Sequence, residues 1–201
     1  MHTIEQAIET LQNHRPIIVV DDASRENEGD IIYPASLVDA EAITFMLQHG
    51  SGIICLPLPG EHLDRLRIPL MVKSQDNSSR LGTNFTVSIE SKHGVSTGVS
   101  AADRAHTIAT AIAPQTEAHD IAMPGHIFPL RAHPEGLRAR RGHTEAALDI
   151  VTLAGFNEAA VLCEVMNPDG TMARLTDLER FAAEHDLAVI SIEALCQYRG
   201  Y

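Results

Sequence analysis

Two apolar runs that lie close together in the chain place the strongest constraint on its fold. Residues 16–20 (PIIVV) and 31–33 (IIY) have the composition of buried strands, and only the segment 21–30 separates them. A parallel connection needs a crossover of about a dozen residues or more, usually a helix. The two strands are therefore predicted to pair antiparallel, so the sheet that contains them is at least partly antiparallel.

The rest of the chain alternates between helical and extended patterns. Helices are predicted over residues 3–13, 39–49, 60–66, 100–112, 144–154, 176–185 and 192–199, and strands over residues 16–20, 30–36, 52–57, 85–90, 159–165 and 187–192. This alternation predicts the α/β class (α+β in some schemes). We expect residues 1–201 to form a single three-layer domain, in which a mixed twisted sheet is flanked by helices.

Polar residues at the starts of three predicted helices are typical N-caps. Asp39 and Ser100 precede apolar helical runs, and Asp103 stands where an acidic capping box would place its second member. Thr176 is predicted to cap the sixth helix. By contrast, residues 67–84 contain polar and turn-forming residues without periodicity, which predicts a mobile loop.

The composition excludes several classes of protein. The chain carries a formal net charge of −12, which argues against nucleic acid or an anionic membrane as a partner. The first 16 residues are amphipathic and include two glutamates, so they resemble neither a signal peptide nor a membrane span. The three cysteines show no CxxC spacing, and Cys55 and Cys163 stand in apolar runs. We expect buried free thiols and a cytoplasmic protein.

The segment 21–30 (DDASRENEGD) holds a dense group of charges. Its ten residues include five carboxylates and one arginine, and apolar runs stand on both sides. Strand ends are where α/β proteins place active sites, and close like charges need a counter-charge such as a divalent cation. A solvated acidic turn is the alternative, but the flanking strands favour a metal or substrate site.

The segment 137–145 (LRARRGHTE) is a second group of charges. Three arginines fall within four consecutive positions there, although the chain as a whole is acidic. Guanidinium groups, a glycine and free N–H groups at a helix start predict a phosphate site, to which the Thr144 hydroxyl can add a donor. The alternative is a surface arginine cluster with Thr144 as N-cap. By itself, His143 is more typical of a histidine at a helix start than of a metal ligand.

Three further features indicate chemistry. His126 follows a Pro-Gly pair and precedes an apolar run, so it is predicted at the start of a strand. The small and hydroxyl residues of 94–104 lead into a helix and can form an anion-binding loop. Glu164 is a carboxylate within an apolar strand, where an ionisable group usually has a function.

Five segments, in this order, resemble the 3,4-dihydroxy-2-butanone 4-phosphate synthase family of riboflavin biosynthesis. They are DDASRENEGD, HGVSTGVSAADR, MPGHIFPL, RRGHTEAALDI and CEVMNPDGTMAR, and they span nearly the whole chain. The resemblance implies a lyase that converts D-ribulose 5-phosphate into L-3,4-dihydroxy-2-butanone 4-phosphate and formate, by enolisation, dehydration, a 1,2-carbon shift and formate release. It also implies a homodimer with active sites near the interface, and two Mg²⁺ (or Mn²⁺) ions per site.

The resemblance assigns roles to individual residues. Glu26 and His143 would be the metal ligands. The substrate contacts would come from Arg25, Glu26, Asp30, Thr97, Arg140, Arg141, Gly142, His143, Thr144 and Glu164. The candidate catalytic residues would be His126, Glu164, Asp30, Glu28 and Cys55. The family's loop is often more acidic where this chain has Ala23 and Ser24, so we expect a change in the loop's mobility or affinity.

The residues alone are compatible with two other functions. A metal-dependent sugar-phosphate isomerase or aldolase would use the same cation and anion sites, and the release of formate distinguishes the family reaction from it. A nucleotide- or RNA-binding module is compatible with the architecture. The charge of −12 and the scarcity of aromatic residues, 4% of the chain with no tryptophan, argue against RNA.

Overall fold

Seven strands form one sheet and helices cover both of its faces, in a computed structural model that describes all 201 residues. The strands are β1 (Ile17–Val20), β2 (Gly29–Pro34), β3 (Cys55–Leu58), β4 (Ile89–Ser91), β5 (Ile121–Arg131), β6 (Ala160–Glu164) and β7 (Ala188–Ser191). The helices are α1 (Ile4–Gln12), α2 (Ala40–Phe45), α3 (Gly60–Arg65), α4 (Ala101–Ile112), α5 (His143–Leu153), α6 (Leu175–His185) and α7 (Ile192–Tyr198). A π-helical turn, Met46–Gly50, continues α2.

The sheet is mixed, with the strand order β4-β5-β3-β6-β2-β1-β7. β1 and β2 pair antiparallel, with Val20 opposite Gly29, as the short connection between them predicts. β1 pairs parallel with β7, and β3 pairs parallel with β5, while the other neighbours are antiparallel. The pairing of β2 with β6 places Asp30 directly opposite Glu164. Two predicted site residues therefore meet across neighbouring strands.

Helices cover opposite faces of the sheet, so the domain has the predicted three layers. On β2, Asp30 faces His143 of α5 (Oδ2 to Nδ1 3.9 Å), whereas the adjacent Gly29 faces Leu178 of α6. Successive residues of a strand point to opposite faces, so α5 and α6 lie on opposite sides of the sheet. α1 and α7 pack beside α5, and α2 contacts α6 through aromatic side chains. The side chains between the layers form one continuous, largely aliphatic core.

β5 corrects the prediction for the region around His126. The sequence predicts a turn followed by a strand start, yet β5 runs through Pro124 and Gly125, and His126 lies in its middle. Gly125 is needed because β4 passes close by: a β-carbon at this position would lie 2.0 Å from the carbonyl oxygen of Ile89. A glycine that signals a turn in the sequence thus permits the close approach of two strands.

One helix start and one strand also differ from the predictions. Thr176 lies inside α6, and the backbone N–H of Arg174, the residue before the helix, donates to the Asp177 carboxylate. The strand predicted over 85–90 is reduced to β4, because its first two residues form only isolated bridges to other segments. The start of β4 thus depends on pairing with other segments, whereas the start of α6 is set by a local contact between Arg174 and Asp177.

The start of α4 is capped by Ser100 as predicted, but Asp103 has a different partner. Its carboxylate accepts hydrogen bonds from the backbone N–H and hydroxyl of Ser96 and from the N–H of Gly98, instead of completing a capping box. The carboxylate therefore ties the preceding loop back onto the helix.

The segment 67–84 contains no regular strand and a single 3₁₀ turn, Ser74–Asp76, as expected for a loop. Its mobility stays a prediction. No helix of the protein combines the length and the apolar character that a membrane crossing requires.

Candidate active site

A cavity of about 90 Å³ lies at the strand ends beside the start of α5. It is lined by Arg25, Glu26, Glu28, Asp30, Cys55, Thr83, Phe85, Leu130, Arg140, His143, Thr144, Leu162 and Glu164. Most of the predicted site residues are in this set. The exceptions are Thr97, His126, Arg141 and Gly142. A larger, more apolar cavity of about 520 Å³ lies beside α2 and contains none of the predicted residues.

Asp21, to which the sequence assigned no role of its own, organises the acidic loop. Its side chain is only 1% exposed. One carboxylate oxygen accepts from the N–H of Glu26 (2.8 Å) and from Arg25 Nη1 (2.9 Å), and the other accepts from the N–H of Glu28 (2.8 Å). Arg25 Nη1 also lies 2.5 Å from Glu26 Oε2. The loop therefore turns around Asp21 and presents its two glutamates to the cavity.

His143 is the positive partner of this loop. Its Nδ1 lies 3.4 Å from Glu26 Oε2, and only 7% of its side chain is exposed. Burial opposes the imidazolium charge, but Asp30, Glu26 and Asp21 prevail and raise the pKa of His143 to about 9. The hydrogen bond from His143 lowers the pKa of Glu26 to about 2, with help from Arg25 and against the effect of burial. The two groups form a charged pair in which His143 is buried and Glu26 is partly exposed.

Asp30 lies deeper in the cavity than the other carboxylates. Burial raises its pKa to about 7; His143 opposes this shift, while the nearby charges of Glu164, Glu26 and Glu28 add to it. A carboxyl group with such a pKa can release or accept a proton near neutral pH.

The residues around His143 fit a hard divalent cation. Asp21, Glu26 and His143 each offer a ligand atom within 4.8 Å of the others. Both Asp21 oxygens already accept hydrogen bonds from their own loop, which leaves Glu26 and His143 as the available ligands. His143 Nε2 is buried and has no hydrogen-bond partner, and the ring would release a proton on binding the metal. A site with few protein ligands, completed by substrate and water, is typical of Mg²⁺.

Glu164 is held in place at the end of β6 by the chain that leads into β3. Its Oε2 accepts a hydrogen bond from the N–H of Ile53 at 2.8 Å. A β-carbon on Gly52 would lie 2.3 Å from this oxygen and 2.7 Å from the backbone N and O of Glu164. Because Gly52 has no side chain, the chain can pass directly against Glu164. The Glu164 carboxylate is therefore held at the end of β6, opposite Asp30 of β2.

The two adjacent arginines of the basic segment lie in different environments. Arg140 lines the cavity, and its Nη1 donates to Glu145 Oε2 at 2.7 Å. Arg141 is 52% exposed and pairs with Glu193 of α7 at 2.5 Å, outside the cavity. The sequence predicts both as phosphate contacts, and the folded chain brings only Arg140 to the cavity. The contact of Arg141 with substrate stays a prediction.

The start of α5 offers further anion-binding groups. Gly142 precedes the helix and supplies no side-chain cap, so the first N–H groups of α5 are available. Thr144, in the first turn, is buried and lines the cavity. Arg140, Thr144 and the helix N-terminus thus lie together, as a phosphate site would require.

His126 belongs to a neighbouring cluster. Its Nδ1 lies 2.6 Å from Glu90 Oε2, and Glu90 Oε1 accepts from the hydroxyl of Thr107 at 2.7 Å. His126 shares a face of β5 with Leu130, which lines the cavity, so it stands beside the cavity on the same side of the sheet. Thr97 lies in the exposed loop before α4 and does not reach the cavity.

Cys55, at the start of β3, is almost fully buried and lines the cavity. Burial, together with the charges of Glu164 and Asp30, raises the pKa of its thiol well above the usual value. The side chain is therefore a protonated thiol rather than a thiolate. All three cysteines are buried and free, as predicted for Cys55 and Cys163.

Several residues that shape the site were not found from the sequence. They are Asp21, Thr83, Glu90, Glu145 and Arg174. Arg174 donates to the carbonyl oxygen of Glu26 at 3.0 Å and thus supports the acidic loop from outside. Asp21 and Glu145 carried a signal, because they stand in the charged segments 21–30 and 137–145. Thr83, Glu90 and Arg174 act on partners far away in the chain, which periodicity and local spacing do not reveal.

Comparison with known proteins identifies relatives over nearly the whole chain. The family model of 3,4-dihydroxy-2-butanone 4-phosphate synthase matches residues 5–198. A protein of that name from Shewanella sediminis is 53% identical over 196 residues, which is 98% of this chain and 89% of the relative. The riboflavin biosynthesis protein RibBA of Salinispora arenicola is 52% identical over 98% of this chain, which spans 46% of that longer protein.

A solved structure supports the same relationship. The crystal structure of a 3,4-dihydroxy-2-butanone 4-phosphate synthase in complex with two magnesium ions matches with a TM-score of 0.92 and 38% identity. The match covers 98% of this chain and 96% of that one.

Proposed function

Since this chain belongs to the 3,4-dihydroxy-2-butanone 4-phosphate synthase family, we propose the family's reaction as its function. The protein converts D-ribulose 5-phosphate into L-3,4-dihydroxy-2-butanone 4-phosphate and formate, a step of riboflavin biosynthesis, and as such is a carbon–carbon lyase. One observation carries the proposal beyond similarity: a single cavity unites a cation-type acidic cluster at Glu26 and His143 with an anion site at Arg140 and Thr144.

Glu26 and His143 would hold the metal, for which we propose two Mg²⁺ or Mn²⁺ ions per site. When bound, such ions withdraw electrons from substrate oxygens and stabilise the negative charge that develops there. Asp21 contributes indirectly, because it fixes the backbone on which Glu26 stands.

The phosphate of the substrate would bind to Arg140, Thr144 and the N–H groups that follow Gly142. A guanidinium group, a hydroxyl and a helix N-terminus are complementary to a dianion. Arg141 and Thr97 are proposed as further contacts that require a movement of their segments toward the cavity. Arg25 and Asp30, which line the same cavity, would contact the sugar hydroxyls.

Proton transfers would fall to the carboxyl groups around the cavity. Asp30 and Glu164 face each other across β2 and β6, and Glu28 stands on the adjoining loop. The abstraction of a proton beside the carbonyl, the loss of water, the carbon shift and the hydrolytic release of formate all move protons. Cys55 in the cavity wall and His126 beside the cavity are the remaining candidates for these steps.

We also propose a homodimer with active sites near its interface, in a cytoplasmic enzyme. The support comes from His126, whose side chain is 43% exposed although the hydrogen bond to Glu90 fixes its ring. The apolar side chains of Ile53, Val99 and Met123, in segments next to the site residues, are 41–49% exposed. A second copy of the chain that covered this surface would enclose His126.

The deciding experiment is the incubation of the purified protein with D-ribulose 5-phosphate and Mg²⁺, with formate measured by a coupled formate dehydrogenase. Stoichiometric formate and four-carbon phosphate are expected. A five-carbon ketose or aldose phosphate without formate would show an isomerase, and triose phosphate would show an aldolase.

A further inference from the structure

We propose that Glu145 is a positioning residue that holds Arg140 at the phosphate subsite and, through Arg140, holds the loop 67–84 over the cavity. The inference rests on the proposed function only for the identity of the anion as a sugar phosphate. Glu145 itself does not line the cavity and touches no substrate.

The burial of Glu145 is the first observation. Its side chain is 1% exposed, although it lies in the first turn of a helix, where an acidic residue usually faces solvent. A buried carboxylate is costly unless donors satisfy both oxygens. Here Oε1 accepts from the backbone N–H of His133 at 3.0 Å, and Oε2 accepts from Arg140 Nη1 at 2.7 Å. The carboxylate therefore joins the end of β5, the start of α5 and Arg140.

Arg140 is the second observation, because its position depends on this carboxylate. Its Nη2 donates to the hydroxyl of Thr83 at 2.8 Å and approaches the carbonyl oxygen of Leu81 at 3.5 Å. Its Nε is buried without a hydrogen-bond partner, and Nη1 uses one of its two hydrogens for Glu145, which leaves two N–H donors without a partner. Gly142 leaves room for this contact: a β-carbon there would lie 2.2 Å from Arg140 Nη1 and 3.0 Å from Glu145 Oε2. The guanidinium group is thus confined between Glu145 and the loop.

The contacts of the loop complete the chain of interactions. Thr83 and Phe85 line the cavity at the end of the loop 67–84, and the two Arg140 contacts are side-chain links from this loop to the phosphate segment. Arg140 can bind a phosphate and hold the loop only while its guanidinium group stays in this orientation. The hydrogen bond to the Glu145 carboxylate holds the guanidinium group in this orientation, on which both the phosphate contact and the loop contacts depend.

A purely structural reading gives Glu145 a different role. An acidic residue in the first turn of a helix stabilises it through the macrodipole and the free N–H groups. In that case its replacement would lower the stability of the fold, and phosphate binding would be unchanged. The two readings differ in whether the effect depends on Arg140.

The test uses Glu145→Gln, which retains the size of the side chain but removes its charge. The new amide NH₂ is a donor, and so are the two groups that the carboxylate contacts, the N–H of His133 and Nη1 of Arg140. Binding of inorganic phosphate is measured directly by calorimetry, and limited proteolysis reports the loop 67–84. We expect the affinity for phosphate to fall about tenfold, the loss expected for one charged hydrogen bond, and cleavage in the loop to increase. In turnover, KM for ribulose 5-phosphate should rise by a similar factor while kcat stays within about threefold.

A double-mutant cycle and a matched control separate positioning from stability. In an Arg140→Met background, Glu145→Gln should change phosphate affinity and loop cleavage by less than about twofold, since the partner is already absent. Asp64→Asn removes the carboxylate that Arg131 contacts at 2.7 and 2.8 Å away from the cavity, and should leave phosphate binding unchanged. If Glu145→Gln cannot be purified, Glu145→Asp, which withdraws the carboxylate by one methylene, replaces it with the same expected signs.

Unchanged phosphate binding in Glu145→Gln, or an equal loss in the Arg140→Met background, would overturn the proposal. These measurements need no turnover. If the wild-type protein released no formate, the proposed function would fail, while the cycle would still decide the role of Glu145.

Discussion

Replacement of Gly52 by alanine tests whether catalysis depends on the position of Glu164. Gly52 does not have a positive φ, so alanine fits the backbone conformation and the effect is steric. The new methyl group would lie 2.3 Å from Glu164 Oε2, about 1.1 Å inside the 3.4 Å at which ordinary contacts begin. It would also lie 2.7 Å from the backbone N and O of Glu164, and rotation of the side chain cannot relieve these overlaps.

A reacting group displaced by about 1 Å costs roughly 100-fold in rate, so we expect kcat for formate release to fall by about two orders of magnitude. Overpacking should lower the free energy of unfolding by about 1–3 kcal/mol. Phosphate affinity should remain within about threefold, because Arg140 and Thr144 belong to a different element. Rates are measured by formate production at saturating substrate, and unfolding by denaturant titration.

Two variants make the result specific. Glu164→Gln should lose at least about 100-fold in rate, and the double variant Gly52→Ala/Glu164→Gln should be no slower than Glu164→Gln alone. Gly170→Ala is the control for the added methyl group: Gly170 has φ +85° and no atom near its β-carbon position, so only stability should fall. A folded Gly52→Ala protein with near wild-type rate would refute the reasoning, since Glu164 would not need its observed position.

Three other predictions follow from the site. Exhaustive chelation with EDTA should abolish formate release and Mg²⁺ or Mn²⁺ should restore it, because Glu26 and His143 form a hard-ligand pair; full activity after chelation would contradict the metal site. Arg140→Ala and Arg141→Ala should each cost about 2–4 kcal/mol in kcat/KM, because both are proposed as phosphate contacts; a loss of less than about 1 kcal/mol for Arg141→Ala would show that this exposed arginine does not reach the phosphate. Native Cys55 should react with iodoacetamide far more slowly than the unfolded protein at pH 8, since its thiol is buried and protonated, and mass spectrometry of the labelled peptide measures this.

Much of the fold followed from local patterns. The ten residues between the first two apolar runs are too few for a helical crossover, so β1 and β2 had to pair antiparallel. Asp39 and Ser100 cap their helices through their side chains, as predicted, whereas the predicted cap Thr176 lies inside α6. β5 was the main omission. Two prolines and a glycine remove the alternation that marks a strand, and only the neighbouring strands make an extended conformation favourable there.

The sequence determined which segments carry charge and which of those charges are enclosed between apolar runs. These are local properties; together with the resemblance to the family they pointed to Glu26, Asp30, His143, Thr144 and Glu164, all of which line one cavity. The tertiary structure decided which charges meet.

The clearest case is the pair of adjacent arginines in the basic segment. Arg140 and Arg141 are equivalent in composition and spacing, yet one pairs with buried Glu145 and the other with exposed Glu193 on a distant helix. Likewise, Glu90 meets His126 across 36 positions of the chain. Such pairings depend on how the layers pack and on which side chains lose water, and no local pattern encodes either.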